Sequence, residues 1–230
     1  MKKPIIIGHR GAMGYETENT LASIQKALDL KVDGVEIDVF KCKSGEIVVF
    51  HDDELNRLTD GVGSIEDKTY DELQQLTVNG GHKIPLLKEV LNLVNGKCIV
   101  NIELKGGNTA NAVSKIVNMY LEFDMFAEED IIISSFNWVE LEAFHKKNKN
   151  IHIAVLTNID QDPMEALQLA KKLKAKNIHP EASTITEDIV KNIKKRGFKI
   201  FTWFEKEPED LKKVLNLKVH GIIVDRPDTV

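Results

Sequence analysis

The chain has 230 residues, 31 basic and 36 acidic, with a formal net charge of -5. That length buries a sizeable core and suits a single barrel, so one domain over residues 1–230 is expected, and the acidic balance argues against a nucleic-acid or anionic-membrane partner. Cys42 and Cys98 fall in no CxxC pattern, the opening MKKPIIIGHRG is too short for a signal peptide, and no run reaches the roughly 18 apolar residues of a span, which reads as a cytoplasmic protein with reduced thiols and no stable membrane association.

Taken in chain order, apolar strand-like runs fall at 4–9 (PIIIGH), 34–40 (GVEIDVF), 98–104 (CIVNIEL), 130–136 (DIIISSF), 151–157 (IHIAVLT), 175–179 (AKNIH), 198–204 (FKIFTWF) and 220–225 (HGIIVD). Between them lie segments with helical apolar spacing, among them ENTLASIQKALDL, NTANAVSKIVNMYLEF, NWVELEAFHKK, PMEALQLAKKL, TEDIVKNIKKRG and EPEDLKKVLNL. Strand then helix, repeated, implies a parallel sheet with helices on its faces. Eight repeats in this length predict an α/β fold closed as a (β/α)8 TIM barrel. An open doubly wound sheet is the alternative, but no GxGxxG follows the first strand.

Two features interrupt the alternation. KCKSGEIVVFHDD reads as a hairpin turning at Ser44 and Gly45, with Ile47, Val49 and His51 alternating on one face of the return arm. Residues 52–83 are rich in Gly, Asp and Thr, with one short helical pattern around TYDELQQL, and read as a small insertion over the barrel mouth after the second strand. At the other end the sequence stops five residues after Asp225, so the last helix is expected to be absent or vestigial.

Barrel sites sit at the C-terminal ends of the strands. His9 and Arg10 follow the first strand, Glu36 and Asp38 lie on the second, Glu103 and Lys105 end the third, and Trp203 ends the seventh. Period-two alternation puts Glu36 and Asp38 on one face of their strand, and the same rule keeps Glu103 and Lys105 together and sends Ile102 and Leu104 to the helix side. Three inward carboxylates repel unless a cation or protons neutralise them. Oxygen-only ligands select one hard divalent cation, Mg²⁺ or Ca²⁺, over zinc. Structural ion pairs of Glu36 or Asp38 with Arg10, and of Glu103 with Lys105, would account for either pair alone. With two histidines at the same rim, so many inward charges are expensive to keep for stability.

Arg10 and Lys105 beside that ion suit an anionic group such as phosphate. His9 and His51 read as a proton-transfer pair, because histidine titrates nearest neutrality and acid–base catalysis needs a donor and an acceptor. Trp203 serves equally as a stacking surface for substrate or as core filling. Glu181 reads as an exposed loop carboxylate, and His82, His145, His152 and His220 as surface or structural residues.

The series HRG then ENT, EIDV then VVFHD, NIELK, SSF, TW and GIIVDRPD, in that order from Ile7 to Asp228, resembles the glycerophosphodiester phosphodiesterase family. The resemblance implies a (β/α)8 barrel that uses a divalent metal to hydrolyse glycerophosphodiesters to sn-glycerol 3-phosphate and an alcohol. It matches His9 and His51 to the catalytic histidines, Glu36, Asp38 and Glu103 to the metal ligands, and Arg10 and Lys105 to phosphate contacts. The pattern leads one to expect a proline before ENT, where this chain reads AMGYET, a departure that touches loop conformation and not chemistry. The competing readings are a lysophospholipid or phosphoinositide substrate in a phospholipase D or C type reaction, which the polar 52–83 segment does not favour, and a non-catalytic binding role on the same scaffold. The sequence leaves open the alcohol, the choice of ion, the acid and base assignments, the nucleophile (water or the substrate's 2-hydroxyl) and the oligomeric state.

Overall fold

The structure is a computed structural model that describes residues 3–205 and 207–230, side chains at 207–209 excepted. Eight parallel strands form the sheet: β1 (Ile5–Gly8), β2 (Gly34–Lys41), β4 (Ile99–Leu104), β5 (Ile131–Ser135), β6 (His152–Thr157), β7 (Asn177–Pro180), β8 (Lys199–Thr202) and β9 (Gly221–Val224). Each pairs with the next, and β1 pairs with both β2 and β9, so the sheet closes into the expected barrel. The short β3 (Ile47–Val49) runs antiparallel to the end of β2, with Val39 opposite Val49 and Lys41 opposite Ile47.

Isoleucine and valine dominate these strands because branched side chains pack on a pleated surface covered on both faces. On β2, Val35, Ile37 and Val39 are fully buried and join the core that lies between sheet and helices. The intervening Glu36 and Asp38 face the barrel axis, where Ile7, Ile132, Ala154, Phe201 and Ile223 form a separate inner cluster. One period of two therefore divides the residues that hold the fold from those that line its interior.

The helices α1 (Leu21–Asp29), α4 (Ala110–Glu122), α5 (Trp138–Lys147), α6 (Ala166–Lys172), α7 (Glu187–Lys195) and α8 (Glu207–Asn216) fall where the apolar spacing places them. Thr20 caps α1 by accepting from the Ser23 amide, and Thr186 caps α7 by accepting from the Ile189 amide. The crossover helix α3 (Leu87–Val94) was not among the segments read as helical. Its signal was present in the spacing of Leu87, Val90, Leu91 and Val94, all fully buried. The 52–83 segment contains two single 3-10 turns and α2 (Tyr70–Gln75), packed on a second apolar cluster of Phe40, Val48, Phe50, Leu55, Ile65 and Leu73. After β9 the described chain makes one 3-10 turn, Pro227–Thr229.

The return arm of the hairpin departs from the expected alternation. Ile47 and Val49 pack into the core against the helices, whereas His51 lines the barrel mouth. Pairing ends at Val49, and the chain then bends, with the Phe50 amide donating to the Asp38 carbonyl. Continued alternation would have sent His51 to the helix side with Val49. Trp203 likewise lies one residue past the end of β8, joined to Glu181 by an isolated parallel bridge.

Candidate active site

The ends of β1, β2, β4 and β9 surround a cavity of about 550 Å³ lined by His9, Arg10, Glu36, Asp38, His51, Glu103, Lys105, Trp203 and Asp225. All eight residues singled out in the sequence are brought together there. Two wider surface clefts lie elsewhere: one beside the hairpin along Lys41, Lys88 and Lys115, the other at the strand starts near Lys3, Lys199 and His220. Neither contains the clustered carboxylates and imidazoles of the mouth, so volume is a poor guide to the chemistry here.

HRG is built by a left-handed turn. Arg10 adopts φ 50° and Gly11 φ 87°, and a Cβ at Gly11 would lie 2.1 Å from Ser23 Oγ on α1. Only glycine fits that approach. The Ser23 hydroxyl donates to the Arg10 carbonyl, and the Arg10 amide donates to Glu36 Oε2 at 2.9 Å. Arginine in the left-handed region is strained, and the turn sends its guanidinium into the mouth, with Nε 3.5 Å from Asp38 Oδ2 and Nη1 2.5 Å from Glu18 Oε1.

Asn19, also left-handed at φ 57°, donates to Asp38 Oδ2 at 2.9 Å and accepts from the Asp38 amide at 3.2 Å. Glu18, Asn19 and Thr20 thus each have a task, as partner to Arg10, partner to Asp38 and helix cap. In place of the expected proline, Thr17 donates its hydroxyl to the Asn79 carbonyl at 2.9 Å, tying this loop to the 52–83 segment.

Each mouth histidine is held by an aspartate. His9 Nδ1 is 2.7 Å from Asp225 Oδ1, and His51 Nδ1 is 2.6 Å from Asp52 Oδ1. An ionised carboxylate only accepts, so the proton sits on Nδ1 of each ring. Lys105 Nζ lies 3.2 Å from His51 Nε2 and 3.3 Å from Glu103 Oε1. An ammonium only donates, so His51 Nε2 presents its lone pair.

The profile of the Glycerophosphoryl diester phosphodiesterase family matches residues 9–229. The chain belongs to this family. It is 34% identical to a glycerophosphodiester phosphodiesterase of Caldanaerobacter subterraneus, over 99% of this chain and 96% of the relative. Its fold matches a glycerophosphodiester phosphodiesterase from Thermotoga maritima with TM-score 0.80 and 28% identity, covering 100% and 97% of the two chains. It also matches an Oleispira antarctica phosphodiesterase solved in complex with the product sn-glycerol-3-phosphate, with TM-score 0.87 and 26% identity over 98% and 94%.

In this family member, Glu36, Asp38 and Glu103 bring one carboxylate oxygen each to within 4.8 Å of one another, all three buried. Among the described residues they are the only such group. Burial, then the charges of Asp38 and Glu103, push Glu36 well above the ordinary carboxylate range. Burial and Asp38 push Glu103 up to about 7, against the opposing pull of Lys105 and Arg10. A hard cation fits this donor set, because it would replace the protons that otherwise neutralise it.

The linkage has a definite sign. With its pKa raised from 4.5 to about 7, folded Glu103 binds more protons than the unfolded chain across that interval, so its contribution to stability falls as pH rises through it. Chelator-treated protein should therefore lose thermal midpoint between about pH 5 and about pH 8 more steeply than Glu103→Gln does. Equal slopes for the two proteins would show that Glu103 titrates normally.

The mouth also contains residues to which the sequence reading gave no role. Asp52, Asp225, Glu18 and Asn19 stand inside recognised motifs, but their roles depend on contacts between distant segments. Phe136 lines the cavity edge-on to Trp203, ring centroids 5.6 Å apart. Trp203 both lines the cavity and packs on the inner cluster, so its two readings coexist. Glu181 is not an exposed loop carboxylate: it is 1% exposed and caps a 3-10 turn by accepting from the Ser183 amide. His82, His145, His152 and His220 do not line the mouth. His179, unremarked in the sequence, is fully buried, stacked on Phe201 at 5.4 Å, and pushed down to about 3 by burial.

Proposed function

We propose that this chain hydrolyses glycerophosphodiesters to sn-glycerol 3-phosphate and an alcohol, by acid–base catalysis between two histidines at a divalent-metal site. The observation that carries the reading is one cavity holding three buried carboxylates, two cations and two imidazoles, each imidazole fixed by an aspartate. The product complex of the Oleispira antarctica relative supports the choice of substrate.

Glu36, Asp38 and Glu103 would hold one Mg²⁺ or Ca²⁺. Such an ion would supply Lewis-acid stabilisation of developing phosphoryl charge and would make the attacking hydroxyl or water more acidic. Arg10 and Lys105 bind phosphate oxygens, the first as a fork and the second as a point charge. His51, with its Nε2 lone pair facing the cavity and its pKa lowered by burial and by the Arg10 and Lys105 charges, is the base for the attacking hydroxyl. His9 acts as its imidazolium: Asp225 holds the Nδ1 proton, and the second proton, on Nε2, passes to the departing alcohol. Trp203, with Phe136 against it, forms the wall for the glycerol or alcohol moiety.

The reading covers a single barrel domain with an insertion at about residues 52–83, acting on a small soluble substrate in the cytoplasm, with no nucleic-acid partner. Among the described residues no helix is long and apolar enough to cross a membrane. A lysophospholipid is the second substrate reading, favoured by the apolar side of the mouth at Met13, Phe136, Leu156, Trp203 and Phe204.

The test is release of glycerol 3-phosphate from glycerophosphocholine by chelator-stripped protein resupplied with Mg²⁺ or Ca²⁺. Metal-restored release is expected. No release from any glycerophosphodiester with either ion overturns the reading, and turnover of lysophosphatidylcholine alone would favour the second. An analogue lacking the 2-hydroxyl distinguishes the two nucleophiles: normal turnover excludes attack by that hydroxyl.

A further inference from the structure

The carboxylate that fixes His51 is itself held from the segment that follows β3. Arg57 lies on the 3-10 turn Leu55–Arg57, anchored by the fully buried Leu55 in the apolar cluster under that segment. Its side chain is 47% exposed, yet its guanidinium engages two carboxylates at once. Nε donates to Asp52 Oδ2 at 2.5 Å and Nη2 to Asp52 Oδ1 at 2.9 Å. Nη1 donates to Glu18 Oε2 at 2.8 Å and Nη2 to Glu18 Oε1 at 2.9 Å. Glu18, its side chain only 7% exposed, also accepts from Arg10. His51, Asp52, Arg57, Glu18 and Arg10 thus form one continuous chain, and both its ends face the cavity.

We propose that Arg57 is a positioning residue for the reaction: it holds Asp52, and so the His51 ring, and through Glu18 it holds the Arg10 guanidinium, without itself touching substrate. The identity of that reaction rests on the function proposed above. An isolated ion pair on a half-exposed arginine stabilises little. A planar fork bidentate to two carboxylates from different segments instead fixes geometry. The Arg57 hydrogen bonds are the largest influence keeping Asp52 well below the usual carboxylate range; burial alone would raise Glu18, but the hydrogen bonds and charges of Arg57 and Arg10 together outweigh it and bring Glu18 to about 2. Both carboxylates therefore stay ionised, and an ionised Asp52 keeps the His51 proton on Nδ1. Lysine, a point charge, cannot reproduce four directed bonds. The segment after the hairpin thereby has a part in the chemistry, since it delivers the fork that orders the mouth.

The test compares Arg57→Gln and Arg57→Lys with wild type in two readouts: steady-state kinetics on glycerophosphocholine, and the ring ¹⁵N resonances of His51 in the free protein. A misplacement of about 1 Å costs on the order of 10²-fold, so kcat is expected to fall by roughly that factor in Arg57→Gln, with a smaller change in KM. Arg57→Lys should stay impaired, and its folded circular dichroism serves as control should Arg57→Gln unfold. In both variants the His51 nitrogens should lose the wild-type Nδ1–H signature, and added methylguanidinium should restore part of the kcat of Arg57→Gly. Unchanged His51 resonances together with wild-type kcat in Arg57→Lys would overturn the proposal. If wild type releases nothing from any diester, the substrate reading fails instead, and the His51 resonances still decide the role of Arg57.

Discussion

Replacing His51 by alanine should lower kcat for glycerophosphocholine by about 10²- to 10⁴-fold while leaving metal affinity and thermal midpoint close to wild type. The ring is partly exposed and bonds to Asp52 and Lys105, so its loss removes a proton acceptor without opening the core. His9→Ala should cause a loss of the same order, because His9 has the same kind of tether, to Asp225. The two differ in leaving-group dependence. If His9 is the acid, a diester with a nitrophenol leaving group, which needs little protonation, should recover most of its rate in His9→Ala and little in His51→Ala. The opposite pattern would exchange the assignments, and equal loss on both substrates would remove the acid–base pairing altogether.

The second large effect should come from the carboxylates. Losing several kcal/mol of Lewis-acid stabilisation corresponds, at 1.36 kcal/mol per tenfold, to a rate loss of roughly 10³-fold or more, so chelation should silence the enzyme and a divalent ion should restore it. Glu36→Gln should abolish that restoration and show no ion binding by calorimetry. The same variant should raise the thermal midpoint of metal-free protein near neutrality, because it deletes a buried carboxyl crowded by Asp38 and Glu103 while keeping an acceptor for the Arg10 amide. Opposite signs for activity and stability mark a site retained for function. A Glu36→Gln protein that is both active and metal-responsive would exclude the assigned ion site.

Much of this was legible one segment at a time. Branched runs separated by helical spacing specify a repeated strand–helix unit, and period-two alternation alone turns Glu36, Asp38 and Glu103 inward, since a strand in a closed barrel has only an inner and an outer face. His9, Arg10 and Lys105 follow from lying at strand ends. The sequence by itself therefore determined the barrel, the mouth and the charged residues that line it.

Only the tertiary structure decided how those groups are held. His51 reaches the mouth because pairing stops at Val49 and the chain bends, which local alternation cannot foresee. Glu181 is buried because the ends of β7 and β8 meet around it. The aspartate behind His9 is 216 residues distant in sequence, and Arg57, which joins Arg10 on Glu18, is 39 away from that glutamate. A residue's period and propensity report which way its own side chain faces. The partner that fixes a tautomer or a guanidinium comes from another segment, and closing the barrel is what brings the two within hydrogen-bonding distance.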